Sequence, residues 1–235
     1  MEPIEEHGSL HVLNLSNHEW SILNPFDSSA PYPPARSYHA MTSDNESTIY
    51  LHAGCPEKGR LSDLWSFEVN KRQWMQLPDA PGPARGGTSI AWLHGKLYRM
   101  NGFDGKNEQG FALDMYSPET NTWSSKSWDA LSGPPARSVS TLLAVEVGGK
   151  DMLVTMFGES DPSNLGHQGA GRMLDDIWAY EVTTESWKRV EAKGNRPISR
   201  GWFAADALRE KNAIVVQGGL AEDNTRIGDV WTLAF

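Results

Sequence analysis

PPARSYHAM (residues 33–41), GPARGGTSI (82–90), PPARSVSTL (134–142) and PISRGWFAA (197–205) are four versions of one phrase. Each carries an arginine at the same place: Arg36, Arg85, Arg137 and Arg200. Each is followed by an apolar run ending in glycine: TIYLHAG to Gly54, KLYRMNG to Gly102, MLVTMFG to Gly158 and AIVVQGG to Gly219. A third run comes next, DLWSFEV, ALDMYSP, DIWAYEV or DVWTLAF, beginning at Asp63, Ala112, Asp176 and Asp229. A tryptophan stands nine residues beyond the first aromatic position of that run, Trp74 after Trp65 and Trp187 after Trp178. Trp123 stands nine after Asp114, where the aromatic is lost and Tyr116 keeps the next inward position. Alternation within the runs places Trp65 and Phe67, or Trp178 and Tyr180, on one face of a strand. Each unit therefore reads as four short antiparallel strands, a to d. One such sheet cannot bury both of its faces. Stacking the units radially does so, and that arrangement is an all-β propeller.

The blades fall at about 34–78, 83–128, 135–191 and 197–235, within one domain spanning 1–235. The ends depart from the pattern. Residues 10–23 read as strands c and d, with Trp20 nine after His11, and the chain stops after strand c at Phe235. Residues 19–23 would supply the last blade's strand d and close the ring. Otherwise the strand pair stands alone and the ring of about four blades is open or truncated. Unpaired strand edges invite association, so a homodimer is a third arrangement.

The repeat resembles the kelch repeat, whose diglycine is whole at Gly218-Gly219 and appears elsewhere as Ala53-Gly54, Asn101-Gly102 and Phe157-Gly158. From the second blade onward the likeness narrows. ARGGTSIAWLHGKLYRMNGFDG, PPARSV, the loop after Gly158, SRGWFAAD and QGGLAEDNTRIGDVW resemble the plant nitrile-specifier, thiocyanate-forming and epithiospecifier proteins. That resemblance implies a kelch propeller using ferrous iron. It implies an activity that steers the unstable sulfated aglucone of glucosinolate breakdown toward nitriles, epithionitriles or thiocyanates. The family's iron motif is Glu-x-x-x-Asp-x-x-x-His. Here Glu159 and His167 keep the eight-residue separation, Ser163 holds the middle position, and an aspartate stands earlier, at Asp161. The resemblance also matches Phe103 and Trp202 to family positions, as apolar walls for a substrate.

Read from the residues alone, the loop from Gly158 to Asp176 exceeds its counterparts in the other blades, and such expansions commonly carry function. Glu159, Asp161 and His167 form a set of two carboxylates and one imidazole that suits Fe(II), Mn(II) or Zn(II) with open positions. The alternative is that the carboxylates bond loop amides. Four arginines placed around one pore would hold an anion in bidentate fashion, with Arg85 and Arg137 favoured and Arg200 beside them. The alternative is that each arginine ties its own blade together. The resulting site assignment is Glu159, His167 and Arg137 for chemistry, Arg85, Phe103, Arg200 and Trp202 for substrate, and Glu159, Asp161 and His167 for metal.

A net charge of −9 disfavours nucleic acid and anionic membranes as partners. Cys55 is the sole cysteine, so no internal disulfide forms. Neither a signal peptide nor a membrane-spanning run is present, and the expected location is the cytoplasm. Motifs for nucleotide binding, serine hydrolysis and zinc proteolysis are lacking. Two functions follow. The first is a specifier-like lyase or isomerase, with Fe(II) as its cofactor, directing rearrangement, elimination or cyclisation of a small reactive molecule. The second is a kelch scaffold that binds a protein partner without catalysis.

Overall fold

The computed structural model describes residues 3–163 and 169–235. Four antiparallel blades follow one another along the chain. Strands β1 (Leu10–Asn14) and β2 (Glu19–Leu23) form a separate hairpin. The first blade is β3 (Ala40–Ser43), β4 (Thr48–Gly54), β5 (Leu61–Glu68) and β6 (Gln73–Leu77). The second is β7 (Ser89–Leu93), β8 (Lys96–Met100), β9 (Ala112–Ser117) and β10 (Thr122–Ser127). The third blade begins with β11 (Thr141–Val147) and β12 (Lys150–Met156). A small hairpin, β13 (Glu159–Asp161) with β14 (Arg172–Met173), then interrupts it. The blade resumes with β15 (Ile177–Glu181) and β16 (Ser186–Arg189). The fourth has three strands: β17 (Ala204–Leu208), β18 (Ala213–Leu220) and β19 (Arg226–Ala234).

The buried apolar side chains fall into four clusters, one at each junction between consecutive sheets. Leu51, Trp65 and Phe67 receive the N-terminal hairpin through Leu10 and Leu23. Tyr50 and Leu64 meet Leu97 and Tyr116 between the first and second blades. Tyr98 and Leu113 meet Leu153 and Trp187 at the next junction. Val154 and Met156 meet Ile214 and Val216 at the last. The repeating tryptophans fill the outer part of each wedge: Trp74 lies 4.9 Å from Phe67, Trp123 5.4 Å from Tyr116 and Trp187 5.1 Å from Tyr180, between ring centroids.

The N-terminal pair does not complete the fourth blade. Glu19–Leu23 pairs in full register with Leu10–Asn14. A tight turn, with the amide of His18 donating to the carbonyl of Asn14 at 2.8 Å, holds the two strands together. Trp74 anchors the hairpin's approach by donating its indole N–H to the carbonyl of Gly8 at 2.7 Å. Local closure and burial on the first blade thus decide the pairing, and β19 keeps an open edge among the described residues.

Two backbone relays stitch neighbouring blades at one end of the channel. In the first, the amides of Gly54, Gly102 and Gly158 donate to the carbonyls of Arg85, Arg137 and Arg200 of the following blade, at 2.8–2.9 Å. Gly158 has φ +98°, and a Cβ there would lie 2.6 Å from the carbonyl oxygen of Ser138, which explains the fixed glycine of the repeat. In the second, Gly87 donates to Tyr38, Val139 to Gly87 and Trp202 to Val139, at 2.9–3.1 Å. All four residues of this second relay lie in the left-handed region, with φ between 46° and 61°.

Candidate functional site

The second relay forms the floor of a cavity of about 210 Å³ at the channel mouth, lined by Tyr38, Gly87, Val139 and Trp202. A left-handed backbone is costly for a β-branched valine, about 1–3 kcal/mol. Such strain is tolerated where the surrounding structure fixes the residue, as the relay does here. Around the floor runs a rim built from one repeat position. In every blade the residue after the arginine bridges the residue after the glycine: Ser37 with Cys55, Gly86 with Phe103, Ser138 with Glu159, and Gly201 with Leu220. Cys55, Phe103 and Glu159 therefore face one cavity because they are structural equivalents.

The side chain of Glu159 is buried at this rim. One of its oxygens accepts the amide N–H of Gly171 at 2.5 Å. Burial raises its pKa, while the backbone amides of Gly171 and Ser163 oppose the rise. The β13–β14 hairpin places Glu159 opposite Met173 and Asp161 opposite Arg172. A Cβ on Gly171 would lie 1.7 Å from the carbonyl oxygen of Asp161, so this crossing requires glycine. Asp161 is exposed, and Ser163 lines the cavity. His167 lies outside the described residues. Among the described residues, no three His, Cys, Asp or Glu side chains already stand together as a ligand set for a metal.

The seam residues flanking the rim also matter. Arg85 donates its amide to Leu61, and Arg137 donates its amide to Gln109. Arg60 and Glu108, each one residue earlier, thus occupy equivalent places at successive blade junctions. Arg60 lines the cavity and holds its guanidinium carbon 6.0 Å from the centre of the Phe103 ring. Its Nε is buried and has no hydrogen-bond partner. Glu108 bridges the far side of Phe103, and both of its carboxylate oxygens are buried beside the Ser138 hydroxyl. Burial pushes its pKa up to about 8; the nearby Ser138 hydroxyl opposes the rise, and the charges of Glu159, Asp104 and Asp161 add to it. The Cys55 thiol is also pushed up by burial, with Arg60 pulling it down.

The repeat arginines are engaged inside their blades. Arg36, Arg137 and Arg200 grip Asp63, Asp176 and Asp229 in bidentate pairs at 2.5–3.0 Å. Each aspartate also accepts the indole N–H of the tryptophan two residues on, Trp65, Trp178 or Trp231, at 2.6–2.7 Å. Arg137 and Arg200 are fully buried, and neither lines the mouth cavity. The second blade breaks the set. Ala112 stands where the aspartate should be, and Asp114 stands where the tryptophan should be. Asp114 pairs with Arg99 at 2.9 Å, and Arg85 keeps only the carbonyls of Pro83 and Asn101. Burial lowers the pKa of Arg85, which the charges of Asp114 and Asp104 counter.

Phe103, Trp202 and Glu159 of the sequence-derived set therefore come together at the mouth. Arg85, Arg137 and Arg200 form a layer behind it. Arg60, Ser138 and Glu108 were missed, and Cys55, a lone thiol opening its loop, lines the same cavity. Cys55 had a signal, since it follows a repeat glycine as Phe103 and Glu159 do. Arg60 and Glu108 had none, because their loops differ in length and composition.

These features define a class of protein. The chain belongs to the kelch-repeat propellers: the profile of the KLHDC2/KLHL20/DRC7 Kelch-repeats domain matches residues 3–159. Among individual relatives, a sulfolyase acting on N-(sulfonatooxy)prop-2-enimidothioate, from Thlaspi arvense, is 28% identical over 92% of this chain and 67% of its own length. The host cell factor homolog hcf-1 of Caenorhabditis elegans is also 28% identical, over 91% of this chain and 28% of its own length. The human Kelch domain-containing protein 10 is 22% identical, over 95% of this chain and 49% of its own length. The chain thus spans half or less of the two latter relatives. Among the described residues no helix is long and apolar enough to cross a membrane.

Proposed function

We propose that the chain is a lyase that binds a small sulfated anion in the mouth cavity and directs its breakdown. The observation that carries this reading is the cavity itself, where a cation, two aromatic walls and a buried carboxylate face one another across about 210 Å³. The sulfolyase relative supplies the substrate class, an N-sulfonatooxy imidothioate. In this reading Arg60 offers its unpartnered Nε–H to the sulfonate oxygens. Phe103 and Trp202 enclose the carbon chain and exclude water from it. The N–O bond breaks and sulfate departs with the bonding electrons toward Arg60, while the nitrogen is made good either by migration of the carbon chain from carbon to nitrogen or by a C≡N bond formed as the C–S bond breaks and sulfur leaves as S(0). Holding the imidothioate sulfur against Glu159 on the opposite wall then decides which product follows.

A divalent cation at the mouth would draw first on Glu159, the one carboxylate among the residues lining the cavity. Carboxylate and imidazole ligands suit Fe(II) or Mn(II). Glu159 would hold such an ion, with Asp161 and His167 as the further donors expected from the motif, and the bound ion would act as a Lewis acid toward sulfur or oxygen.

The test is to supply N-(sulfonatooxy)prop-2-enimidothioate and compare the products with those formed in buffer alone. The reading expects a shifted product profile that Arg60→Ala reduces about tenfold or more, as loss of a charge-assisted contact does. An unchanged profile with the unaltered protein overturns it. A second reading, a module gripping a protein segment, draws on the open edge of β19 and the adjoining groove of about 490 Å³ along Trp231, Leu233 and Phe235.

A further inference from the structure

We infer that Val139 selects the ligand by size: its side chain is the block in the cavity floor that limits how bulky a carbon chain the mouth admits. This rests on the reading of the cavity as the seat of a small sulfated anion. It deepens that reading from a class of ligand to a limit on its chain.

Val139 is held where a valine fits poorly. Its φ is 46°, and among the described residues it is the one β-branched residue in the left-handed region. Branching at Cβ makes that region costly, whereas glycine enters it freely. Gly87, the preceding member of the relay, does so at φ 61°. The backbone duties of position 139 need no side chain. Its amide donates to the carbonyl of Gly87, and its carbonyl accepts the amide of Trp202. A glycine can do both.

The core does not account for the valine either. Val139 belongs to none of the four apolar clusters formed by the described residues. It lines the mouth cavity instead, together with Phe103 and Trp202. Two bare positions make room for it. A Cβ on Gly87 would lie 3.0 Å from its Cγ1, and a Cβ on Gly201 would lie 3.1 Å from its Cγ2. The isopropyl group thus stands between two residues that have no side chain. Strain kept at a cavity-facing position that adds nothing to the core points to a residue whose bulk acts on the ligand. Removing that bulk deepens the cavity between Gly87 and Gly201 and leaves the relay's hydrogen bonds in place.

Stable sulfate monoesters are the probes: propyl sulfate and 2-phenylethyl sulfate, each titrated into the full chain by calorimetry. They carry an anion and a chain but no N–O bond, so binding is read apart from chemistry. Affinity for the phenylethyl ester relative to the propyl ester should rise tenfold or more in both Val139→Ala and Val139→Gly. Apolar pockets discriminate size on that scale. Val139→Ala removes bulk and keeps a Cβ in the left-handed region, whereas Val139→Gly also removes the strain. A ratio that moves in Val139→Gly alone assigns the effect to the backbone and overturns the inference. An unchanged ratio in both variants overturns it too, as does failure of the unaltered protein to bind either ester. Near-ultraviolet circular dichroism checks the fold of each variant. Should either fail to fold, Val139→Ile, one methylene larger, decides: a lower ratio supports the inference and an unchanged ratio overturns it. The lyase reading fails separately, on an unchanged product profile with the N-sulfonatooxy substrate.

Discussion

Asp176 is the counter-charge of a fully buried arginine, and its removal exposes what the repeat arginine is for. Asp176→Asn leaves the Arg137 guanidinium inside the blade without an anion. Unfolding in urea should show a loss of about 3 kcal/mol, the cost of breaking a buried ion pair from one side. Arg85, which has no aspartate, holds only neutral carbonyls. Arg85→Met should therefore cost less, about 2 kcal/mol, the range of hydrogen bonds that involve one charged group. Acid titration offers a second test. The bonds from Arg200 hold the Asp229 carboxyl at about 2, below its usual value near 4. A depressed carboxylate stabilises the fold above its unfolded pKa and loses that contribution as pH falls. Stability should thus decline between about pH 4 and pH 2, and Asp229→Asn should flatten that part of the profile in a urea-midpoint series. The sequence showed the arginines as a repeat and left two roles open, an anion ring or blade ties. It could not choose, because the choice depends on whether an aspartate on strand c reaches back, which is a contact across the blade. Glu108 was invisible for a related reason. Its burial arises where the 103–110 loop presses on the next blade, and no periodicity marks that seam.

At the scale of elements, the turn after strand b does the joining. Gly158 ends β12, donates to the following blade and brings its Cα against the Ser138 carbonyl. Gly158→Ala should cost about 3 kcal/mol by thermal unfolding, since it adds a backbone clash to an unfavourable φ. Gly149→Ala is the control. Its φ is also positive, at 78°, but a Cβ there meets nothing within 4 Å, so about 1 kcal/mol is expected. The strands themselves were legible, because a period of two with a glycine stop is a strong local signal. The β13–β14 hairpin was not. Its pairing depends on Gly171 passing over the Asp161 carbonyl, a close approach that residue types alone do not disclose. The N-terminal pair illustrates the same limit. Residues 10–14 and 19–23 read correctly as strands, and the competition between two partners was settled by a tight turn and by burial of Leu10 and Leu23.

Across the whole molecule, stability should be graded along the ring. The second and third blades are covered on both faces by neighbouring sheets, and their clusters are complete. The fourth blade has three strands, and β19 alternates exposed with half-buried residues along its length. Hydrogen exchange read by mass spectrometry should find the amides of β18 and β19 less protected than those of β8 and β12. Equal protection would mean that the fourth blade is covered in solution. The propeller was readable because every blade restates it. The open edge followed from pairing that local pattern does not encode.

The floor of the mouth joins four different side chains through one uniform backbone. Tyr38, Gly87, Val139 and Trp202 share a conformation and a hydrogen-bonding role, yet range from no side chain to the largest. Architecture and selectivity are therefore separable here. The carbonyls and amides keep the ring in place while the cavity's shape is set by four independent choices of residue. Exchanging those side chains would recut the cavity without touching the joints that hold the blades, and a family built this way could change its ligand faster than its fold.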